Sequence, residues 1–369
     1  TTKMWRKIIY WARLHKARLN KSFEGMDDYL EQNCRGKVVV LGGGAFGTAL
    51  ATHVARQRNE VTMCIRDDGV RDFINSKHIN PKYLSEFDLP ENLTASTDAA
   101  EALKGCAMMI HAVPVQASRK ALEAVRDYVP KGVPIVSVSK GLELGSQLLM
   151  CDLISEALGR TPEENPVVVV SGPSFAKEIM LRRPTSVVAA STDLKAAALV
   201  QRILTSAQFR VSITDDVIGV EVAGALKNVL AIAAGIVEGL GLGINAMSAL
   251  ICQGSAEIRW MAVKLGARPE TVSGLSGMGD ILLTCFGELS RNRRVGVRLG
   301  RGEPIEDILA SGGGTAEGVF TAELVVEVAA KHGVLMPVLT SVARILSGEV
   351  SAKKAVFEVM SLPPLPESA

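Results

Sequence analysis

From Lys37 onward the chain alternates short β-branched runs with longer segments of helical periodicity. The runs predict strands at Val38–Leu41, Val61–Ile65, Met108–Val113, Ile135–Ser139, Val167–Ser171, Val187–Ala190 and Arg210–Ile213. Several are near-continuous apolar stretches, as strands buried on both faces of a parallel sheet must be. Alternating strands and helices predict a Rossmann-type, doubly wound α/β domain. The strand patterns stop after Asp216, and the remaining chain reads as helix broken by glycines. The expected division is an α/β domain over 36–216 and an all-α domain over 217–369. The tail "LPPLPESA" reads as a loose, Pro-rich end.

Residues 1–35 differ from the rest. "TTKMWRKIIYWARLHKARLNK" holds seven Lys/Arg and no acid, and Trp5, Ile8, Ile9 and Ala12 repeat at helical spacing. That pattern fits a basic amphipathic helix. It has three readings: peripheral contact with anionic lipid, the remnant of an organelle-targeting region, or a solvated helix packed on its own domain.

Composition narrows the classes. Hydrophobic residues make up 47% and charged residues 22%, the profile of an ordinary soluble globular protein, and a net charge of +2 gives no case for nucleic-acid binding. The most apolar stretch, Val220 to Leu240, is interrupted by Glu221, Lys227, Asn228 and Glu238, which argues against a membrane span. The six cysteines form no CxxC pair and the five histidines lack ligand spacing, so we expect a reducing compartment, no disulfide framework and no metal.

The chemistry begins at "VVVLGGGAFGTAL". Gly42-x-Gly44-x-x-Gly47 directly follows a strand and opens a helix. In that context it is the dinucleotide fingerprint. Gly42 would allow the tight turn, Gly44 the approach of a pyrophosphate, and Gly47 close helix–strand packing. The second strand ends Cys64-Ile65-Arg66-Asp67-Asp68. Arg66 ahead of the acids favours the 2′-phosphate of NADP and leaves NAD open; a solvated loop arginine is the alternative. Three more strand ends carry small or polar residues: Ala112 and Pro114 in "HAVPVQ", Lys140 in "SVSKGLE", and Gly172, Ser174 and Ala176 in "SGPSFAKE". Such ends converge on one crevice in open α/β sheets.

In the helical half, Lys227 and Asn228 interrupt a long apolar run. Desolvation would lower the lysine pKa and suit it to proton transfer, whereas a lysine snorkelling to the surface is the simpler reading from periodicity alone. Asp280 stands at a glycine-rich helix start with Thr284 one turn on, and reads either as a functional acid or as a cap. Ser290, Arg291 and Asn292 open "SRNRR", which suits a phosphate or is a solvated basic turn. Glu317 in "TAEGVFTA" is a further candidate contact for the cofactor.

Taken together, GGGAFGTALA, HAVPVQ, SVSKGLE, SGPSFAKE, EVAGALKNVLAIAAG, GLSGMGD, LTCFGELSRNRRVG and AEGV resemble the NAD(P)-dependent glycerol-3-phosphate dehydrogenase family, closest to its plant and algal plastid type. The resemblance runs from about Lys37 to about Leu362. It implies reversible reduction of dihydroxyacetone phosphate to sn-glycerol 3-phosphate with NADH or NADPH, feeding glycerolipid synthesis. It implies Lys227 as acid/base, Lys140 in contact with substrate and cofactor, and Asp280 as the group that tunes Lys227. Substrate contacts implied are Gly172, Ser174, Asn228, Asp280, Thr284, Ser290, Arg291 and Asn292. Cofactor contacts implied are Gly42, Gly43, Gly44, Ala45, Phe46, Gly47, Arg66, Tyr83, Pro114, Lys140, Ala176, Arg291 and Glu317. A plastid stromal location and a homodimer also come from the resemblance. Many bacterial members have "SWG" at Ala45-Phe46-Gly47 and a tryptophan at Ile65, so these departures bear on coenzyme preference. Some algal members carry a fused phosphatase; none is seen here, so the ester should be released intact. A related two-domain hydroxy-acid dehydrogenase is the competing reading.

Overall fold

The computed structural model describes residues 30, 36–311 and 316–363. The basic segment expected over 1–35 lies outside the described residues except for Leu30.

Eight strands form one sheet: β1 Lys37–Leu41, β2 Val61–Cys64, β3 Leu93–Ser96, β4 Cys106–His111, β5 Ile135–Ser137, β6 Val167–Ser171, β7 Thr185–Ala190 and β8 Phe209–Thr214. Their spatial order is β3-β2-β1-β4-β5-β6-β7-β8. Seven match expected runs, with ends shifted by a few residues. The register Val38↔Val61 and Val38↔Met108 sets β1 between β2 and β4, so the chain order reverses there. That reversal opens a crevice at the carboxyl ends.

The sheet has a core on each side because successive side chains point to opposite faces. Val38 and Val40 join Leu50, Met63, Met108 and Ile110 on one face. Val39 and Leu41 join Met109, Ile135, Leu153 and Ile154 on the other. This is why the strands read as unbroken apolar runs.

Two features depart from expectation. The hydrophobic pattern predicts no strand at β3, which is four residues with an exposed Thr94, too short and mixed to stand out. The sheet is also not wholly parallel, since β7 runs antiparallel to β6. The connection from Gly172 to Pro184 contains only the short helix Ala176–Met180, which does not carry the chain back across the sheet, so β7 starts at the edge where β6 ended.

After Asp216 the described elements are helices. At their centre runs the helix Val217–Gly239, in which every residue from Gly219 to Val237 is buried. Asp216 caps it, accepting from Gly219 N, and also accepts from Arg268 N at 2.9 Å. Glu221 accepts from Cys151 N at 2.9 Å and so holds the uncapped start of Met150–Leu158 against the central helix. This helix is apolar enough to cross a membrane, yet 89% of its most hydrophobic window is buried inside the protein.

The central helix crosses Arg291–Gly300 with the two backbones in contact. Gly235 and Gly239 face Gly296 and Gly300: a Cβ on Gly235 would meet Gly296 Cα at 2.9 Å, and one on Gly300 would meet Ile236 O at 2.5 Å. A Cβ on Gly296 would overlap Ile232 O. Small residues at a crossing let helices approach closely, and close-packed interiors transmit any added volume as strain. Gly296→Ala should therefore lose about 1–3 kcal/mol of stability. Urea denaturation would check it; an unchanged midpoint would show that the crossing can open without cost.

Candidate active site

Lys140 follows β5 at the carboxyl edge of the sheet, Lys227 projects from the middle of the central helix, and Asp280 begins the helix Asp280–Phe286. Three distant parts of the chain thus meet. Asp280 Oδ1 accepts from Lys227 Nζ at 2.7 Å, and Oδ2 accepts from Lys140 Nζ at 2.6 Å. Lys227 Nζ also donates to Thr284 Oγ1 at 2.7 Å, which in turn donates to Asp280 O at 2.6 Å. Ser171 Oγ, at the end of β6, donates to Asp280 Oδ2 at 3.4 Å.

Asp280 is reached through "GLSGMG", whose residues Leu275–Gly279 form a π turn. A Cβ on Gly277 would strike Val272 O, so the turn admits only glycine there. Such turns recur at functional sites because they re-aim the next side chain. Asp280 is not a cap; its carboxylate faces the two ammonium groups. Nor does Lys227 snorkel, since its side chain is 7% exposed.

Burial is the main influence on Lys227 and lowers its pKa; Asp280 opposes this and Lys140 adds to it, leaving the group at about 8. Burial alone would raise Asp280, but the two lysines outweigh it and hold the carboxyl below its ordinary value. The cluster therefore carries two ammoniums against one carboxylate, with one ammonium close to giving up its proton at neutral pH.

A second buried group adjoins the first. Asn292 Nδ2 donates to Asn228 Oδ1 at 2.9 Å, and Asn292 Oδ1 accepts from Gly318 N at 3.0 Å. Ser290 caps its helix by accepting from Arg293 N at 3.2 Å. Of the Ser290-Arg291-Asn292 run, Arg291 is the exposed member at the helix start, with no ion pair among the described residues. Burial raises the Glu317 carboxyl to about 7, and the charge of Arg291 opposes the rise. Ser174 Oγ is spent on Gly172 O at 3.0 Å, and Gly172 O also receives Lys140 Nζ at 3.5 Å.

The glycine loop has the form a dinucleotide needs. Gly42 takes φ +112°, and a Cβ there would stand 2.7 Å from Ala112 O. A Cβ on Gly43 would meet Ile65 Cγ2 at 2.8 Å, and one on Gly47 would meet Gly42 O at 2.5 Å. Gly44 differs: its Cβ would meet nothing within 4 Å. Protein packing does not require that glycine, but close approach of a phosphate would. Gly44 is also the N-cap of Ala45–Ala55, without a side-chain cap, so the helix amides are unclaimed by side chains. Phe46 and Ala176 pack partly buried on the sheet core, and Pro114 caps Val115–Val125 across the crevice.

Asn80 has no counterpart in the sequence reading. It is fully buried, donates to Gly43 O at 3.1 Å and Thr48 Oγ1 at 2.9 Å, and accepts from Lys82 N and Tyr83 N. It ties the glycine loop to the loop that carries the exposed Tyr83. Arg66 is exposed at the end of β2. Behind it, Asp67 is committed: Oδ1 caps Val70 N at 2.9 Å and Oδ2 pairs with Lys82 Nζ at 2.6 Å. Ser171 likewise has no role in the sequence reading, although it stands at the end of a valine run.

Comparison with known proteins matches two family models, in order along the chain. Residues 37–197 match the family model for the NAD-dependent glycerol-3-phosphate dehydrogenase N-terminus, and residues 216–357 match that for its C-terminus. A chloroplastic glycerol-3-phosphate dehydrogenase, NAD(+), of Oryza sativa subsp. japonica is 53% identical over 367 residues, 99% of this chain and 81% of the relative. A glycerol-3-phosphate dehydrogenase, NAD(P)+, of Myxococcus xanthus is 46% identical over 332 residues, 89% of this chain and 98% of the relative. The crystal structure of glycerol-3-phosphate dehydrogenase from Coxiella burnetii superposes with a TM-score of 0.83 at 34% identity, covering 89% of this chain and all of that one. With both halves of the family model matched in order, and identity above half along almost the whole chain, this protein belongs to the NAD-dependent glycerol-3-phosphate dehydrogenase family.

Proposed function

We propose that this chain reduces dihydroxyacetone phosphate to sn-glycerol 3-phosphate, reversibly, with Lys227 as the group that gives the proton to the carbonyl oxygen. The observation that carries the reading is the buried Lys227–Asp280–Lys140 cluster. A bound NADH or NADPH supplies the hydride, and Gly42–Gly47, Arg66, Tyr83, Pro114, Ala176 and Glu317 are the residues that would hold it.

Lys227 carries the proton and is aimed by Asp280 and Thr284. Lys140 shares the same carboxylate and places its ammonium beside the oxygen on which negative charge develops, where a fixed cation is most effective. Asp280 holds the two ammoniums together. Arg291 offers its guanidinium to the substrate phosphate. Asn228 and Asn292 keep two helices in register beneath it, and Ser290 caps the helix that presents Arg291. Gly172 and Ser174 shape the wall beside Lys140.

The reading extends to organisation and location. The proposed units are a basic extension over 1–35, a dinucleotide-binding unit over 36–216 and a substrate unit over 217–369. The chloroplastic relative supports a plastid location. A homodimer and lipid contact through 1–35 belong to the same proposal, open to light scattering and liposome co-sedimentation.

The direct test is loss of reduced-cofactor absorbance on mixing the protein with dihydroxyacetone phosphate, once with NADH and once with NADPH. We expect turnover with at least one; silence with both would end the reading.

The pH dependence has a definite sign. A lysine whose pKa is lowered to about 8 is charged below that pH and neutral above it. As proton donor it must be charged, so reduction should be fastest well below pH 8 and fall as pH rises through it. Oxidation of glycerol 3-phosphate uses the neutral amine and should rise through the same point. Lys227→Met should cut kcat by about 2 to 4 orders of magnitude and remove that limb. A variant that keeps the limb would take Lys227 out of the mechanism.

Asp280→Asn removes the carboxylate that raises the Lys227 pKa. The falling limb of reduction should move to lower pH, and stability should drop by about 3–5 kcal/mol, the cost of unpairing buried charge. A limb that stays in place would show that Asp280 does not set the lysine.

A further inference from the structure

The active-site crevice is not the only basic recess. A cavity of about 180 Å³ lies on the other side of the glycine-loop helix, lined by His53, Arg56, Arg182, Arg183, Ser206 and Gln208 among others. It sits where the helices Ala45–Ala55 and Ala176–Met180 both end. The crevice is served by their opposite ends, through Gly44 and Ala176.

The charge in this recess is unbalanced. Arg183 pairs with Glu178 at 3.3 Å. Among the described residues no carboxylate pairs with Arg56 or Arg182. Three arginines and one glutamate leave a net of +2. Arg56 Nη1 donates to Met180 O at 3.1 Å, which turns the guanidinium toward the second helix rather than toward solvent. Burial, and then the nearby Arg182 charge, hold the Arg56 pKa below its ordinary value, so the two cations lie close enough to repel. Arg182 takes φ +55°, a conformation that non-glycine residues seldom adopt and that costs energy. Ser206 Oγ already accepts from Phe209 N at 3.0 Å and Gln208 N at 3.3 Å, which leaves its hydroxyl proton to donate.

Two like charges held together, one on a strained residue, beside a free hydroxyl donor, form an arrangement that an anion would complete. A dianion would cancel the net charge, and the recess has room for a phosphate group. We propose that this cavity binds a phosphate dianion, free or as the head of a small phosphate monoester, and so braces the far ends of the two helices that flank the cofactor crevice. The site is distinct from the one assigned to Arg291.

The test is the shift in melting temperature when chloride is replaced by inorganic phosphate at equal ionic strength. Proteins compared in the same buffer share any general salting effect. A ligand that binds only the folded state raises the melting temperature by mass action. Wild type and Arg291→Ala, which weakens the catalytic phosphate contact, should both gain about 4 °C or more near saturation. Arg56→Gln with Arg182→Gln, in either background, should lose most of that gain while keeping dihydroxyacetone phosphate turnover. Arg182→Gln alone alters only an exposed side chain and should lose the larger part, which covers a double variant that fails to fold. A full gain in Arg182→Gln or in the double variant would overturn the proposal. A second arm uses glycerol 2-phosphate: a gain like that from phosphate means the site reads a monoester head, and no gain means it takes the free ion. Failure of the Arg291 reading would leave Arg291→Ala indistinguishable from wild type in KM, so the two readings fail separately.

Discussion

The structure depends on one carboxylate held between two ammonium groups. Asp280 is almost completely buried, and so is Lys227. Each alone would be driven toward its neutral form, because removing a charge from water costs several kcal/mol. Together they stay charged, and Lys140 adds a surplus positive charge. The cluster is also the seam of the molecule. Lys140 and Ser171 come from sheet ends, Lys227 from the central helix, and Asp280 from a π turn beyond it. Proper docking of sheet and helices is thus the condition for a lysine with a lowered pKa.

That dependence explains the demand for close backbone approach at two places. At the first, Gly42, Gly43 and Gly47 press the turn after β1 against Ala112 and Ile65, and leave Gly44 open to the crevice. At the second, Gly235, Gly239, Gly296 and Gly300 let the central helix touch the helix that carries Arg291. The Asn228–Asn292–Gly318 chain then fixes that crossing with buried hydrogen bonds. Such bonds specify a geometry because leaving any member unpaired is costly. A displacement at this crossing would move Arg291 relative to Lys227.

What can be read in the sequence depends on how local each feature is. The strand–glycine–helix turn is contained in a dozen residues, so its meaning is legible. Lys227 stands out as a charge in an apolar run, but periodicity does not say whether it turns inward. Only the arrival of Asp280, from 53 positions away, decides that. β3 escapes notice because four residues with one exposed threonine carry little pattern. The reversal of β7 is hidden because strand composition does not encode direction; the length of the connecting segment does. Asn80 and Ser171 are lone polar residues whose roles come from what folds onto them, so no local signal marks them. Ser290 and Asn292 are legible as residue choices, but the cap and the helix contact they make come from what folds onto them.

Coenzyme choice shows the same limit at a finer scale. An acid near the tip of β2 would bond the ribose hydroxyls and favour NAD, and Asp67 is close to that place in sequence. In the structure it is not free for that task. One oxygen caps the next helix and the other is held by Lys82. Arg66 is left as the exposed charge at the edge, a setting that tolerates a 2′-phosphate. Yet the Asp67–Lys82 pair is itself largely exposed, at 47% and 59%, and solvent screening makes exposed pairs weak. Binding of ribose hydroxyls could therefore release Asp67 at small cost. An edge with a solvent-screened acid and an exposed arginine suits either NAD or NADP.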